Sequence, residues 1–506
     1  MTTKLWWAAL FSSAGLLACG GGSKITVDLT TSGDAVLDPY KASDRLALVR
    51  VNIDGPDLKD DAIRDVPLDQ RAAVFDRFPG DRTVQVEVSG FDELGTRIAY
   101  GRADGVAVAG DTNVTVAFRR TLAYVTHRAV CDGGCNTGSA CVNFGSGYAC
   151  RPSLETCAPA CSASSSCVDF RGAASCYHTF ARTTPAPGLI YVIDATTRAL
   201  VKKIQLPGDA PRGFGVSARG GEGVLVTYAD GANGFVGFVS ADDSQVTSIP
   251  LSKPQSLALI GPGRKVGAAA GGGLISFFDF EQKKVIKEVA VGGTVLDGAL
   301  GLDGKRAIFV VSTSPGVVIV DLENPEGRDS VKSPGEVSGA SGVAVSEDGR
   351  VAFVSSRSGR TLNAIDLDSG RITELAEGFA TRAGAAAFSA RMLAVLAIQY
   401  DDDGPAPRIV AYSVAASQGF PLETAVGTLP LPSDIAAGPG GGRLVVVSAG
   451  TSSTTAGLTV IDTDDELPPE GSSTTYPRDP DDTYLEGSFV AHQRYQPNKL
   501  GLLYGR

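Results

Sequence analysis

"GVAVSEDGRVAFVSSRSGRTLNAIDLDSGRITEL", residues 342–375, is the stretch on which the fold turns. A small-apolar run (342–345) meets a Gly-containing turn, a second apolar run (351–356) follows, and a third run ends in Asp366. Short apolar runs bounded by Gly, Asp and Ser read as β-strands joined by tight turns.

The same unit recurs. Its third strand is seen in "GLIYVID" (188–194), "GFVGFVS" (234–240), "GLISFFD" (273–279), "GVVIVD" (316–321), "TLNAID" (361–366), "RIVAYS" (408–413) and "GLTVID" (457–462). The ends of these segments lie 46, 39, 42, 45, 47 and 49 residues apart. The strand–turn–strand motif also occurs seven times, with its last copy in "GSFVAHQRYQPNKLGLLYG" (487–505) at the chain end. A period near 45 with about four short strands per repeat predicts a β-propeller blade. "AAAFSARMLAVLAI" (385–398) has helical propensity, but its register within the repeat makes it strand.

The unit at 342–375 resembles the YVTN-type repeat of bacterial surface and periplasmic propellers, and the resemblance extends over residues 186–506. It implies a seven-bladed propeller. The first Asp-ended strand lacks the apolar strand that precedes it elsewhere, and "KLGLLYG" (499–505) lacks a following one. Pairing the two would close the ring from both termini. Similar propellers include lactonases and periplasmic dehydrogenases, so an enzyme of that type is the alternative to a binding scaffold.

Working outward to the N-terminus, "CDGGCNTGSACVNFGSGYAC" (131–150) and "CAPACSASSSCVDFRGAASC" (157–176) share the spacing C-x3-C-x5-C-x8-C. Eight of the nine cysteines fall in these two copies. Twenty residues cannot bury enough apolar area to offset chain entropy, so two disulfide-stapled modules are expected over 131–176. Spacing alone allows three connectivities per module. Four thiolates would also suit zinc, but no C-x2-C pair is present and no metal is expected. "CVNFGSGYAC" resembles the C-x-N-x-x-G-x-Y-x-C part of EGF-like domains, without that family's final cysteine pair. The resemblance implies first-to-third and second-to-fourth pairing: Cys131–Cys141, Cys135–Cys150, Cys157–Cys167 and Cys161–Cys176.

Residues 24–124 are predicted to form a β-sandwich of immunoglobulin or transthyretin type. Five strands are visible: "KITVDLT" (24–30), "LALVRVNI" (46–53), "RTVQVEV" (82–88), "RIAYGRA" (97–103) and "TNVTVAF" (112–118). Most alternate apolar and polar residues, the mark of a half-buried strand.

Residues 1–18 read as a signal peptide, with Lys4 followed by an uncharged apolar run over 5–18 that is too short to span a bilayer. "LLACG" (16–20) resembles a bacterial lipobox, which implies cleavage before Cys19 and lipidation of it, with residues 19–23 as a tether. Export favours disulfides in the remaining eight cysteines. The expected place is the bacterial cell envelope, on the outer membrane.

Composition narrows the function. The net charge of −11 excludes a basic nucleic-acid surface. His127, His178 and His492 have no metal-site spacing, and neither a nucleophile elbow nor a phosphate loop is present. No catalytic residue and no cofactor are expected. The acidic runs "YDDDGP" (400–405) and "DTDDE" (462–466) do not match a calcium loop and read as solvated turns. "ELPPEGSSTTYPRDPDD" (466–482) reads as an irregular insertion. The expectation is an all-β envelope lipoprotein held to the membrane by its lipid, binding an envelope or extracellular protein or polysaccharide.

Overall fold

The computed structural model describes residues 23–503 apart from internal stretches, the longest being 130–137, 179–187, 378–385, 414–420, 425–431, 449–456, 463–471 and 476–494; beyond residue 375 it describes mainly the backbone. Among the described residues every regular element is a β-strand.

Two sheets form the N-terminal unit. One has the order Ala72–Phe78, Ser23–Thr30, Thr112–Ala117; the other runs Ala62–Val66, Leu48–Asp54, Arg82–Phe91, Arg97–Val108, Arg119–Arg120. Alternation does the work: in the first strand Ile25, Val27 and Leu29 are buried while Lys24, Asp28 and Thr30 are exposed. Val49, Val51 and Ile53 from the facing sheet, with Val84, Val86 and Val88, complete one shared core. Ser23–Thr30 pairs parallel with Thr112–Ala117, an N-terminal strand beside a late one. Three strands went unread in the sequence. Ala62–Val66 is an edge strand whose Ile63, Arg64 and Asp65 are all exposed, so it carries no alternation to read.

The rest of the described chain, the cysteine-rich stretch aside, forms seven four-stranded sheets. Six are consecutive meanders; one is Ala340–Val345, Val351–Ser356, Thr361–Asp366, Ile372–Glu377, the stretch quoted at the outset. The first strands of successive sheets neighbour one another in the order Pro211–Ala218, Leu257–Leu259, Val295–Leu300, Ala340–Val345, Ala386–Ser389, Pro432–Ala437 and Tyr495–Leu503. Tyr495–Leu503 in turn neighbours Pro211–Ala218, so the succession returns to its start. The approach is close: a Cβ on Gly215 would sit 2.1 Å from the carbonyl oxygen of Ser256 at the next first strand, which only glycine tolerates.

The recurrent strand-ending residue has a mechanical job. Oδ1 of Asp194, Asp321 and Asp366 accepts the backbone N–H of Thr196 (2.8 Å), Glu323 (2.9 Å) and Ser369 (2.7 Å). In one of the two copies that end in serine, Ser240 Oγ accepts the N–H of Asp242 at 3.1 Å. In these four sheets the side-chain turns start the hairpin into the outer strand, the job a short polar acceptor at that place does.

The seventh sheet corrects the expected boundaries. Its order is Leu200–Gln205, Leu189–Asp194, Leu122–Ala129, Tyr495–Leu503. The chain's last strand does not pair with "GLIYVID" directly, as the sequence reading had it. Leu122–Ala129 stands between them, pairing Tyr124 with Gly501 on one side and with Val192 on the other. The C-terminal unit therefore begins before residue 124 rather than at 186, and residues 130–188 are an insertion between two of its adjacent strands. The physical reason is burial on both faces: Leu122, Ala123, Tyr124 and Val125 are all buried, so this strand shows none of the alternation used to find the others. A second correction concerns 466–482, expected to be irregular: Ser472–Thr475 within it is the outer strand of its sheet, paired with Gly457–Asp462.

Candidate functional site

Leu122–Ala129 has a different structure at each end, and at both ends the chain departs from its repeat. At the Leu122 end lies the N-terminal unit. Arg120, two residues before the strand begins, donates from Nη2 and Nε to Asp194 Oδ2 at 2.7 and 3.1 Å and from Nη1 to the Val36 carbonyl at 2.6 Å. Both partners are buried, Arg120 at 6% and Asp194 at 1% side-chain exposure. Arg119 donates to the Thr30 carbonyl (2.9 Å) and to Asp242 Oδ1 (3.1 Å). Burial pulls the Arg119 guanidinium below its ordinary value, against the opposing pull of Asp242.

The segment after the first strand works as a strap across the same junction. Ser32 Oγ donates to the Ala241 carbonyl (2.7 Å), the Asp34 N–H to the Asp242 carbonyl (2.9 Å), and Lys202 Nζ to Asp34 Oδ2 (2.7 Å). Leu37 from the strap packs into a core with Tyr124, Ile190 and Val226 of the C-terminal unit. Burial acts to raise the Asp34 carboxyl, but the hydrogen bonds from Lys202 and from the Val36 N–H outweigh it and hold the group below its ordinary value. The two units are thus joined by charge pairs, backbone bonds and a shared apolar core. Sequence reasoning missed this junction. Its signal was the Arg119–Arg120 doublet set one residue before the buried run Leu122–Val125, a poor place for two charges unless both are paired.

At the Ala129 end the chain enters the cysteine-rich insertion. Two hairpins form there, Ser139–Asn143 with Tyr148–Pro152 and Ser165–Phe170 with Ala173–His178. They share a register: Cys141 lies opposite Cys150, and Cys167 opposite Cys176. The residue after each third cysteine, Val142 and Val168, is fully buried. Ser153 bridges Val168, and the Leu154 N–H donates to the Cys167 carbonyl at 2.9 Å, so the two copies pack as one unit.

In the second copy the disulfides are Cys157–Cys167 and Cys161–Cys176, with Cα separations of 5.6 and 5.4 Å. This is the first-to-third, second-to-fourth order implied by the EGF-like resemblance. Cys157, Cys161 and Cys176 hold their sulfurs within 4.8 Å of one another, a spacing a metal could use. Sulfurs spent in disulfides are not the thiolates zinc requires. Cys131, Cys135 and Cys19 lie outside the described residues, as do the side chains of Cys141 and Cys150.

The three histidines are not brought together by any described element. His127 stands opposite Pro497 and His178 opposite Ser165 in their sheets, while His492 lies outside the described residues. Of the acidic runs, Asp401 and Gly404 face each other across a hairpin turn and Asp462 ends its strand; 402–403 and 463–466 lie outside the described residues. Two acids not singled out in the sequence, Asp297 and Asp434, are buried on first strands, each just after a bulge. Asp297 Oδ2 accepts the Val343 N–H of the neighbouring first strand at 3.0 Å, so its charge is used in tying two sheets together.

No family model matches the chain, and no curated protein matches it. Among solved structures it is similar to Kuenenia stuttgartiensis hydrazine synthase, at 18% identity over 50% of this chain and 77% of that one, with a TM-score of 0.40. It is also similar to a functionally unknown protein from Desulfotomaculum acetoxidans DSM 771, at 13% identity over 62% of this chain and 96% of that one, with a TM-score of 0.46. Both likenesses are slight.

Proposed function

We propose that the chain is an outer-membrane lipoprotein of the bacterial cell envelope, anchored through Cys19, whose seven sheets are the blades of a β-propeller serving as a binding scaffold for an envelope protein or polysaccharide. The N-terminal two-sheet unit is its sandwich, and the two cysteine copies are EGF-like knots, the first closing Cys131–Cys141 and Cys135–Cys150 as the second closes its own.

The observation that carries this reading is the succession of first strands returning to its start, with the last strand of the chain set beside Leu122–Ala129. Sheets arranged so leave no exposed edge between first and last blade. What the arrangement spends its polar groups on also favours a scaffold: Asp297 holds a neighbouring strand, and the strand-ending aspartates hold turns.

The test is capture of a partner from detergent-solubilised envelope extract, and from a polysaccharide panel, with the full-length chain. A specific partner lost on deletion of residues 130–187 supports the scaffold. Turnover of a lactone or an alcohol by the purified chain, with no partner captured, refutes it.

A further inference from the structure

The four cysteines of the second copy are unequally placed. Cys176 is exposed, whereas Cys157, Cys161 and Cys167 are half-buried. Cys157, Cys161 and Cys176 bring their sulfurs within 4.8 Å of one another although they belong to two different bridges. Cys167 and Cys176 also belong to different bridges, yet they stand directly opposite each other in their hairpin. The Cys167 carbonyl accepts the Leu154 N–H from the other side of its strand, so it is turned away from Cys176. Cys167 and Cys176 are therefore a non-hydrogen-bonded pair, the kind with Cα atoms about 4.5 Å apart, which a disulfide can span.

We propose that Cys176 is the point of attack for a small monothiol, and that the second copy has two sets of bridges which this thiol interconverts. The incoming thiolate attacks the Cys176 sulfur, the bond to Cys161 breaks, and Cys161 leaves as a thiolate. Cys161 attacks the neighbouring Cys157 sulfur, which forms Cys157–Cys161 and releases Cys167 as a thiolate. Cys167 then attacks Cys176 across the hairpin, forming Cys167–Cys176 and expelling the monothiol. Two bridges stand before and after, with no net oxidation or reduction, and the proton the thiol gives up on attack returns to it on release.

The two sets hold different things together. In the first, both bridges tie the 157–161 stretch to the hairpin of Ser165–Phe170 and Ala173–His178. In the second, one bridge lies within 157–161 and the other within the hairpin. The backbone contacts of Ser153 and Leu154 with the hairpin are then left without covalent support.

The experiment treats the full-length protein with reduced glutathione at mildly alkaline pH. Acid then protonates the thiolates and stops exchange, and a peptic digest is read by fragmentation mass spectrometry. The expected result is equal loss of Cys157–Cys167 and Cys161–Cys176, matched by gain of Cys157–Cys161 and Cys167–Cys176. Glutathione should be found on Cys176 before the other three, and amide exchange at Leu154 should quicken in the same samples. Opening of Cys161–Cys176 with Cys157–Cys167 left intact overturns the proposal, as does a first adduct on another cysteine of this copy. Resistance of both bridges to excess glutathione overturns it too. Cys161→Ser with Cys176→Ser removes the point of attack, and glutathione should then open Cys157–Cys167 more slowly by about tenfold or more. An unchanged rate in that variant would show that the half-buried bridge is attacked directly.

Discussion

Asp194 serves two masters: Oδ1 accepts the Thr196 N–H that starts its own hairpin turn, and Oδ2 accepts Arg120 from the connection between the two units. The same aspartate in the other repeats does only the first of these jobs in the bonds described above. One residue of the repeat has been recruited to hold the N-terminal unit in place.

Removing one member of this pair should be far worse than removing both. Arg120→Ala leaves a carboxylate buried without its cation, a loss of about 3–5 kcal/mol by analogy with other buried pairs. Arg120→Met combined with Asp194→Leu removes both charges and should recover most of the loss, less about 1 kcal/mol for the turn bond. Chemical denaturation of the two variants checks the order. Equal stability of the single and double variants would show that the pair is not the seat of the effect.

The corrected boundary makes a truncation prediction in each direction. A chain starting at residue 186 lacks the strand that Tyr495–Leu503 and Leu189–Asp194 both pair with, and should be protease-sensitive and fail to melt cooperatively. Ending the chain at 494 should do the same, because it uncovers one whole edge of Leu122–Ala129. Replacing 129–187 by Asn-Gly, a two-residue hairpin turn that keeps the register of Leu122–Ala129 with Leu189–Asp194, should leave the melting of the seven sheets nearly unchanged. Limited proteolysis and calorimetry separate these outcomes.

Non-reducing peptide mapping should find no bridge between residues 131–150 and 157–176, and no free thiol. In the second copy, Cys157→Ser with Cys167→Ser opens a bridge of sequence separation 10, worth about 3 kcal/mol in the chain-entropy model. The loss should stay local, seen as faster amide exchange at Val142 and Val168 with the melting of the seven sheets unaltered.

Acid should loosen the junction through Asp34. Its folded pKa lies below the ordinary 3.8, so the bond to Lys202 stabilises the fold fully above that value and is lost as pH falls through the lower, folded one. Asp34→Asn should therefore be less stable than the native chain at neutral pH, and the difference should shrink as pH drops below about 4. Parallel urea titrations at several pH values measure it. A difference constant with pH would assign the stabilisation to the backbone bonds of the strap instead.

What could be read in advance follows the physics of burial. The repeat was legible because strand-ending acceptors and glycine turns are local signals, and Asp321 or Asp366 does its work within three residues of itself. The first strand of the N-terminal unit was legible because one of its faces is wet. Leu122–Ala129 was not, because a strand covered on both faces has no period, and its partners lie far away in the chain. The junction was invisible for the same reason: Arg119 and Arg120 are explained only by Thr30, Val36, Asp194 and Asp242, residues brought to them by folding.

The pairing of Leu122 with Leu503 also sets a timetable. As the chain is synthesised the two-sheet unit can form early, and six of the seven sheets can assemble in order as they emerge, each being a local meander. The remaining sheet must wait, its central strand exposed along one edge until Tyr495–Leu503 has been made. Closing so long a loop is slow, and the waiting edge is sticky. Chaperone escort would be needed most by this one strand, and substitutions in 495–503 should lower yield before they alter anything measured on the finished protein.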